Sequence, residues 1–154
     1  MMTITRRMRV HAGLETVWTI LMECAANPNW SIPEVDEWRV LERAEETIVR
    51  ELMVSETPIE ERLTFDRCGK TIHREFLDHL GFEGRITITA VYCSVQPPAE
   101  TVDLRYCLEW EPKLLQADGW IDEKEESQML LLVTLQRQEQ RQVKEMAEAL
   151  ERIS

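Results

Sequence analysis

The feature that most constrains the fold is a long carboxyl-terminal segment that contains neither Gly nor Pro. Residues 123–154 carry apolar side chains at helical spacing, with Glu residues near the start and Arg152 near the end, where the helix dipole favours each charge. We therefore predict one helix of about thirty residues, about 45 Å long. Its apolar stripe consists of Met129, Leu132, Val133, Val143, Ala147 and Leu150.

Seven upstream segments have the composition and alternation of β-strands. Most intervals between consecutive segments are short and carry Gly or Pro, which favours antiparallel neighbours because a parallel crossover needs a dozen or more residues. A helical stripe from Leu14 to Ala25 follows the first strand and ends at Asn27-Pro28, and residues 28–34 form an irregular turn or a second short helix. The predicted strands are Thr3–Val10, Val35–Arg43, Thr47–Ser55, Ile59–Asp66, Thr71–Leu77, Arg85–Val95 and Thr101–Trp110.

The order of these segments predicts an α+β fold. A seven-stranded antiparallel sheet must bury one face, and only the carboxyl-terminal helix is large enough to cover it. We therefore expect a curved sheet wrapped around that helix, with the first strand beside the last one. A length of 154 residues fits one domain over residues 1–154.

Charge and cysteine usage limit the partners and the compartment. Lys and Arg number 18 against 29 Asp and Glu, a net charge of -11, which argues against nucleic acid and anionic membrane surfaces as partners. No apolar run is long enough to span or insert into a bilayer or to serve as a signal peptide. The four cysteines are dispersed without a paired motif, as in reducing compartments. We expect a cytoplasmic protein.

Short motifs along the chain resemble those of the START, or SRPBCC, helix-grip superfamily. They are Val17-Trp18 on the first helix, the turn Asn27-Pro28-Asn29-Trp30, and Pro33. Further segments are similar to the AtaL-like branch of that superfamily: Val40–Arg43, Val49–Glu51 and Glu60–Phe65.

This resemblance implies an internal cavity between the sheet and the long helix, in which members bind hydrophobic or aromatic small molecules. Some members perform cyclisation, aromatisation or dehydration there. The superfamily has no universal catalytic motif, so the resemblance assigns no catalytic residue. No phosphate-binding loop or dinucleotide fingerprint occurs, and we predict no cofactor.

Four polar residues fall on otherwise apolar sides of the predicted strands: Glu61, Arg74, Tyr92 and Tyr106. An unpaired charge in a dry core costs several kcal/mol. Glu61 and Arg74 therefore pair across adjacent strands, face a wet cavity, or reach solvent at strand ends. A buried tyrosine needs a partner for its hydroxyl, which a ligand could supply, although a place in the core remains an alternative.

The apolar stripe of the long helix is interrupted by Gln136 and Gln140. A cavity against the middle of the helix explains this, as does partial exposure or burial through a second apolar stripe. Trp30, near a connection, is a candidate for the rim of a pocket, where an amphipathic ring suits one dry and one wet side. The candidate ligand-binding residues are thus Tyr92, Tyr106, Gln136, Gln140, Glu61, Arg74 and Trp30.

A metal site is considered only at His73 and His79, which have Glu75 and Asp78 nearby. His73 lies on the outward side of its strand and His79 in a loop, so the ligands do not converge as a metal requires. We predict no metal site.

These observations predict a protein that binds a hydrophobic, aromatic or polyketide-like small molecule between the sheet and the carboxyl-terminal helix. An alternative is a polyketide cyclase or aromatase that acts on such a ligand by acid–base catalysis, with catalytic residues unknown. A third is a scaffold or dimerisation module without a ligand, and a homodimer stays open in each case.

Overall fold

The computed structural model describes residues 2–54, 56–77, 82–94, 100–112 and 123–153. Strand β1 spans Met2–Val10 and is followed by helix α1, Leu14–Ala26, and a 3-10 helix, Pro28–Trp30. Helix α2 spans Glu123–Ile153. The remaining strands are β2 (Val35–Ala44), β3 (Thr47–Val54), β4 (Thr57–Asp66), β5 (Thr71–Leu77), β6 (Phe82–Ser94) and β7 (Thr101–Pro112).

The seven strands form one antiparallel sheet in the order β1-β7-β6-β5-β4-β3-β2. Strands β2 to β7 pair with their neighbours in sequence, as their short connections predict. Strand β1 pairs with β7, with Met2 opposite Trp110 and Val10 opposite Val102. The predicted neighbourhood of the first and last strands is confirmed.

The core lies between one face of the sheet and the two helices. Alternate residues of β7 from Val102 to Leu108 are 0% exposed, as are Val143 and Ala147 on α2. Burial of an aliphatic side chain of this size contributes about 1.5–3 kcal/mol. The alternation in β7 therefore selects which face of the sheet packs against α2.

Polar contacts fix the position of α2 at both the middle and the end. Gln138 Nε2 donates to Glu34 Oε1 at 2.8 Å. The Glu151 carboxylate accepts from Thr16 Oγ1 at 2.7 Å and from the Gly13 amide at 3.3 Å, at the start of α1. Because α2 is held in this way, it packs against α1, β1 and β7, and Glu139 on its inner side reaches Arg74 of β5.

Neither α1 nor α2 is long and apolar enough over its described residues to cross a membrane.

Candidate functional site

Two arginines and two glutamates lie inside the protein between the sheet and α2. Arg50, Glu61 and Arg74 come from the adjacent strands β3, β4 and β5, and Glu139 comes from α2. None of the four is more than 6% exposed. Arg50 is directly opposite Glu61 in the β3–β4 pairing, whereas Arg74 is opposite Leu63 and therefore diagonal to Glu61. We call these four residues the charged cluster.

Glu61 is the centre of the charged cluster. Its two carboxylate oxygens accept from Arg74 Nε at 2.9 Å and Arg74 Nη2 at 3.0 Å, and Oε2 also accepts from Arg50 Nη2 at 3.3 Å. Arg74 Nη1 reaches across to Glu139 Oε2 at 2.6 Å. Arg50 Nη1 donates to the Ala25 carbonyl at 2.8 Å, at the end of α1. The cluster thus joins three strands to both helices.

The charges balance within the cluster, which is why burial is tolerated. Burial alone would raise the pKa of Glu61, but the positive charges of Arg74 and Arg50 outweigh it and lower the pKa to about 2. Burial lowers the pKa of Arg50, opposed by Glu61. For Arg74, burial is outweighed by Glu139 and Glu61, which raise its pKa. Glu61 therefore remains a carboxylate at neutral pH and is unsuited to act as a proton donor.

Three polar atoms in this region have no hydrogen-bond partner among the described residues: Arg50 Nε, the Tyr106 hydroxyl and Gln136 Nε2. Burial, followed by the negative charge of Glu139, raises the pKa of Tyr106 well above 10, so the phenol keeps its proton at neutral pH. A buried polar group without a partner costs about 1–3 kcal/mol. All three atoms can donate a hydrogen bond, so an acceptor atom of a water molecule or a ligand would satisfy them.

A small cavity lies between the charged cluster and apolar side chains of the sheet and α2. Glu61, Arg74, Gln136 and Glu139 form its polar side. Its volume is about 10 Å³, close to the smallest space that holds one water molecule. The apolar side includes Ile32, Ile59, Phe76, Ile86, Leu132 and Leu135.

The structure brings four of the seven sequence-predicted residues to this region. Glu61, Arg74 and Gln136 line the cavity, and Tyr106, 0% exposed, lies within electrostatic reach of Arg74 and Glu139. Of the alternatives for Glu61 and Arg74, the structure shows an ion pair across neighbouring strands that also faces the cavity. Neither reaches solvent.

The other three predicted residues lie elsewhere. Gln140 Nε2 donates to the main-chain carbonyls of Leu104 at 2.9 Å and Arg6 at 3.2 Å, so its amide fastens α2 to β7 and β1. Tyr92 lies opposite the buried Val102, on the inner face that its parity predicts, but its side chain is 48% exposed and does not line the cavity. Alternation therefore gives the face of Tyr92 correctly but not its exposure near the end of β6. Trp30 is also 48% exposed, and its place at a pocket rim stays a prediction.

Arg50 and Glu139 were not predicted as site residues, although the sequence carries a signal for each. Arg50 shares the parity of Ile48 and Leu52 in β3, which the alternation rule assigns to the inner face. Glu139 lies three residues after Gln136, on the same side of α2. Each of the four elements β3, β4, β5 and α2 thus carries a charged residue on an otherwise apolar side. This pattern predicts a buried network of ion pairs.

The described residues contain no group of three or more His, Cys, Asp or Glu side chains placed to hold a metal ion. His73 is exposed on β5, as its parity predicts, and His79 lies outside the described residues. Cys24 is a free, buried thiol, and burial raises its pKa to about 12.

Comparison with solved structures identifies the fold. The chain aligns over 96% of its length with 93% of the Zhui aromatase/cyclase from a Streptomyces species, with a TM-score of 0.77 and 17% identity. The chain has a helix-grip fold. The fold class predicted from the sequence, a curved seven-stranded antiparallel sheet around a long carboxyl-terminal helix, is confirmed.

Two further structures share this helix-grip fold. A norcoclaurine synthase from Thalictrum flavum aligns with 99% of the chain and 96% of its own length, with a TM-score of 0.71 and 11% identity. XoxI from Bacillus cereus aligns with 98% of the chain and 99% of its own length, with a TM-score of 0.69 and 16% identity. At these identities the likeness concerns the fold alone. No protein-family model and no curated protein matches the sequence, and the resemblance to the AtaL-like branch stays a prediction.

Proposed function

We propose that this helix-grip protein binds a hydrophobic, aromatic or polyketide-like small molecule between the sheet and α2. The observation that carries the proposal is the cavity, which combines an apolar wall with unpartnered donors beside it. Small-molecule sites commonly have this composition, a mostly apolar surface with a few placed polar groups. The structural likeness to an aromatase/cyclase supports the same class of ligand.

The polar side of the cavity determines which end of the ligand enters. Gln136 Nε2 and the Tyr106 hydroxyl are donors without partners among the described residues, whereas the carboxylates of Glu61 and Glu139 already accept from Arg74. A carbonyl or ether oxygen of the ligand would therefore be bound more favourably than a donor group. The charged cluster is neutral as a whole, so no net charge at the site favours an ionic ligand and an uncharged ligand is preferred.

Binding requires the cavity to open. A volume of about 10 Å³ holds one water molecule, whereas pockets for drug-sized ligands measure about 300 Å³ or more. The apolar residues Leu132 and Leu135 on α2 and Ile32 after the 3-10 helix close the space against the sheet. A bound aromatic ring must displace these side chains, and binding is therefore coupled to a shift of α2 or of the segment around Ile32.

Titration with a flat, uncharged aromatic fluorophore tests the proposal. Leu135→Trp, which fills the cavity from α2, should weaken binding at least tenfold while the thermal transition stays cooperative. Leu130→Trp is the matched control, because Leu130 is 62% exposed on the same helix, and should bind as the wild type does. Equal affinity of the wild type and both variants would place the binding site elsewhere, and no binding to the wild type would contradict the proposal.

A second candidate function is the acid–base chemistry of a cyclase. It is favoured by the Tyr106 phenol, which burial and the neighbouring Glu139 carboxylate hold protonated. Such a phenol can donate a hydrogen bond to a carbonyl oxygen as negative charge develops there. With a linear poly-β-ketone mimic as the probe, Tyr106→Phe should abolish formation of the aromatic product and weaken probe binding only by the loss of one hydrogen bond, about 1 kcal/mol. Unchanged product formation in this variant would reject the role of Tyr106.

A further inference from the structure

Strand β2 is an edge of the sheet with an open side. Among the described strands it pairs only with β3, and nine of its ten residues are exposed. Trp38, Val40 and Leu41 each leave 39% of their surface in contact with solvent. The unpaired main-chain groups of an exposed edge are a template for another strand, and the charged residues and register shifts of β2 restrict which strand can pair with it.

The β2–β3 register distributes the side chains of β2 between two faces. Trp38 and Arg43 lie opposite inward-facing residues of β3 and share the face that is turned toward α2. Arg39 and Glu42 lie opposite residues of the outer face. The register shift between Val40 and Glu42 places Arg39 and Glu42 on one face, although an uninterrupted strand would separate them.

We propose that the β2 edge docks a second copy of this chain, with the two β2 strands antiparallel about a two-fold axis between Val40 and Leu41. In this register Arg39 lies opposite Glu42 of the second copy on the outer face, and Trp38 lies opposite Arg43 of the second copy on the inner face. Because of the two-fold axis, each of these contacts occurs twice. Both β2 edges are then occupied, so the assembly stops at a dimer. Opposite charges and a cation over an aromatic ring both stabilise cross-strand neighbours.

Other registers lose this match. A shift by one position sets outer-face residues against inner-face residues. A shift by two positions either sets Glu37 against Glu42 of the second copy, which repel, or sets Arg39 against Ala44 without an ion pair. The charge pairing and the register shift between Val40 and Glu42 therefore favour the same register.

The opposite edge of the sheet does not offer the same match. Strand β1 carries Arg6, Arg7 and Arg9, and two-fold registers centred on Arg6 or Arg7 set arginine against arginine. Like charges directly opposite each other destabilise a strand pair. Pairing through one strand of each copy also buries a limited area, and interfaces below about 1,200 Å² are commonly transient. The dimer should therefore dissociate on dilution.

Sedimentation equilibrium over a series of protein concentrations tests the proposal through a charge exchange. Arg39→Glu alone sets the new carboxylate against Glu42 of the second copy and against Glu51 of its own chain, with which Arg39 pairs at 3.2 Å, and Glu42→Arg alone sets arginine against arginine. Each variant should raise the dissociation constant about tenfold or more. An equimolar mixture of the two variants should restore a dimer, because the heterodimer regains an opposite-charge pairing across the two-fold axis.

Arg62→Glu on strand β4 is the matched control, with an equal change in net charge on an exposed side chain away from the edge. It should dimerise as the wild type does. The proposal is overturned if the wild type sediments as a monomer at every concentration, if the mixture stays monomeric, or if species larger than a dimer form. Melting temperatures of the single variants near that of the wild type show that each monomer is folded.

Discussion

Replacement of Glu61 by Gln removes the one carboxylate that two buried arginines share. The variant keeps the shape of the side chain but leaves Arg50, which is 2% exposed, without its acidic partner. Arg74 retains Glu139. Loss of one partner from a buried ion pair typically costs about 3–5 kcal/mol. The fall in the pKa of Glu61 from 4.5 to about 2 corresponds to about 3 kcal/mol, in agreement with that range.

The cost of Glu61→Gln should depend on pH in a defined direction. Because folding lowers the pKa of Glu61, its carboxylate contributes stability above the unfolded pKa of 4.5 and loses that contribution as the pH falls toward about 2. The difference in unfolding free energy between the wild type and Glu61→Gln should therefore be about 3 kcal/mol at neutral pH and shrink below pH 4.5.

Urea denaturation at a series of pH values measures this difference. Glu60→Gln is the matched control, because Glu60 precedes Glu61 on β4 and faces the other side of the sheet. It should change the unfolding free energy by about 0.5 kcal/mol or less. A Glu61→Gln variant as stable as the wild type at neutral pH, or a stability difference that grows in acid, would refute the electrostatic argument.

Two further predictions concern the core. Val143→Asp should lower the unfolding free energy by more than about 3 kcal/mol, because Val143 is 0% exposed. Leu130→Asp, on the exposed face of α2, should change the unfolding free energy by about 0.5 kcal/mol or less. Equal denaturant midpoints of the two variants would show that α2 buries another face. Iodoacetamide should modify the exposed Cys68 long before the buried Cys24, whose pKa is raised to about 12, and mass spectrometry of partly labelled native protein checks the order. Labelling of both thiols at one rate would contradict the burial of Cys24.

The sequence predicts most of the secondary structure because most strands alternate and most turns carry Gly or Pro. Strand β5 spans Thr71–Leu77 as predicted, and α2 begins at the predicted residue 123. Alternation also places Glu61, Arg74 and Tyr106 on the inner face. It does not predict that Tyr92, opposite the buried Val102 near the end of β6, is 48% exposed, because parity gives the face of a residue and not how far the core extends along the strand.

Other parts of the site depend on distances that the sequence does not contain. Gln136 and Gln140 interrupt the apolar stripe of α2 in the same way. The Gln140 amide nevertheless donates to main-chain carbonyls of β7 and β1, whereas Gln136 lines the cavity. Which of the two glutamines faces the cavity depends on where each turn of α2 lies over the sheet. The size of the cavity depends on how closely Leu132 and Leu135 approach it, which periodicity does not determine.

Intermolecular nuclear Overhauser effects between a bound aromatic molecule and isotope-labelled methyl groups test the proposed binding site most directly. We predict contacts from the ligand to Leu132, Leu135 and Ile86, which line the cavity. Methyl groups of the exposed residues Leu130 and Val40 should show none. Contacts confined to exposed methyl groups, with those of Leu132, Leu135 and Ile86 unperturbed at saturating ligand, would contradict a binding site between the sheet and α2.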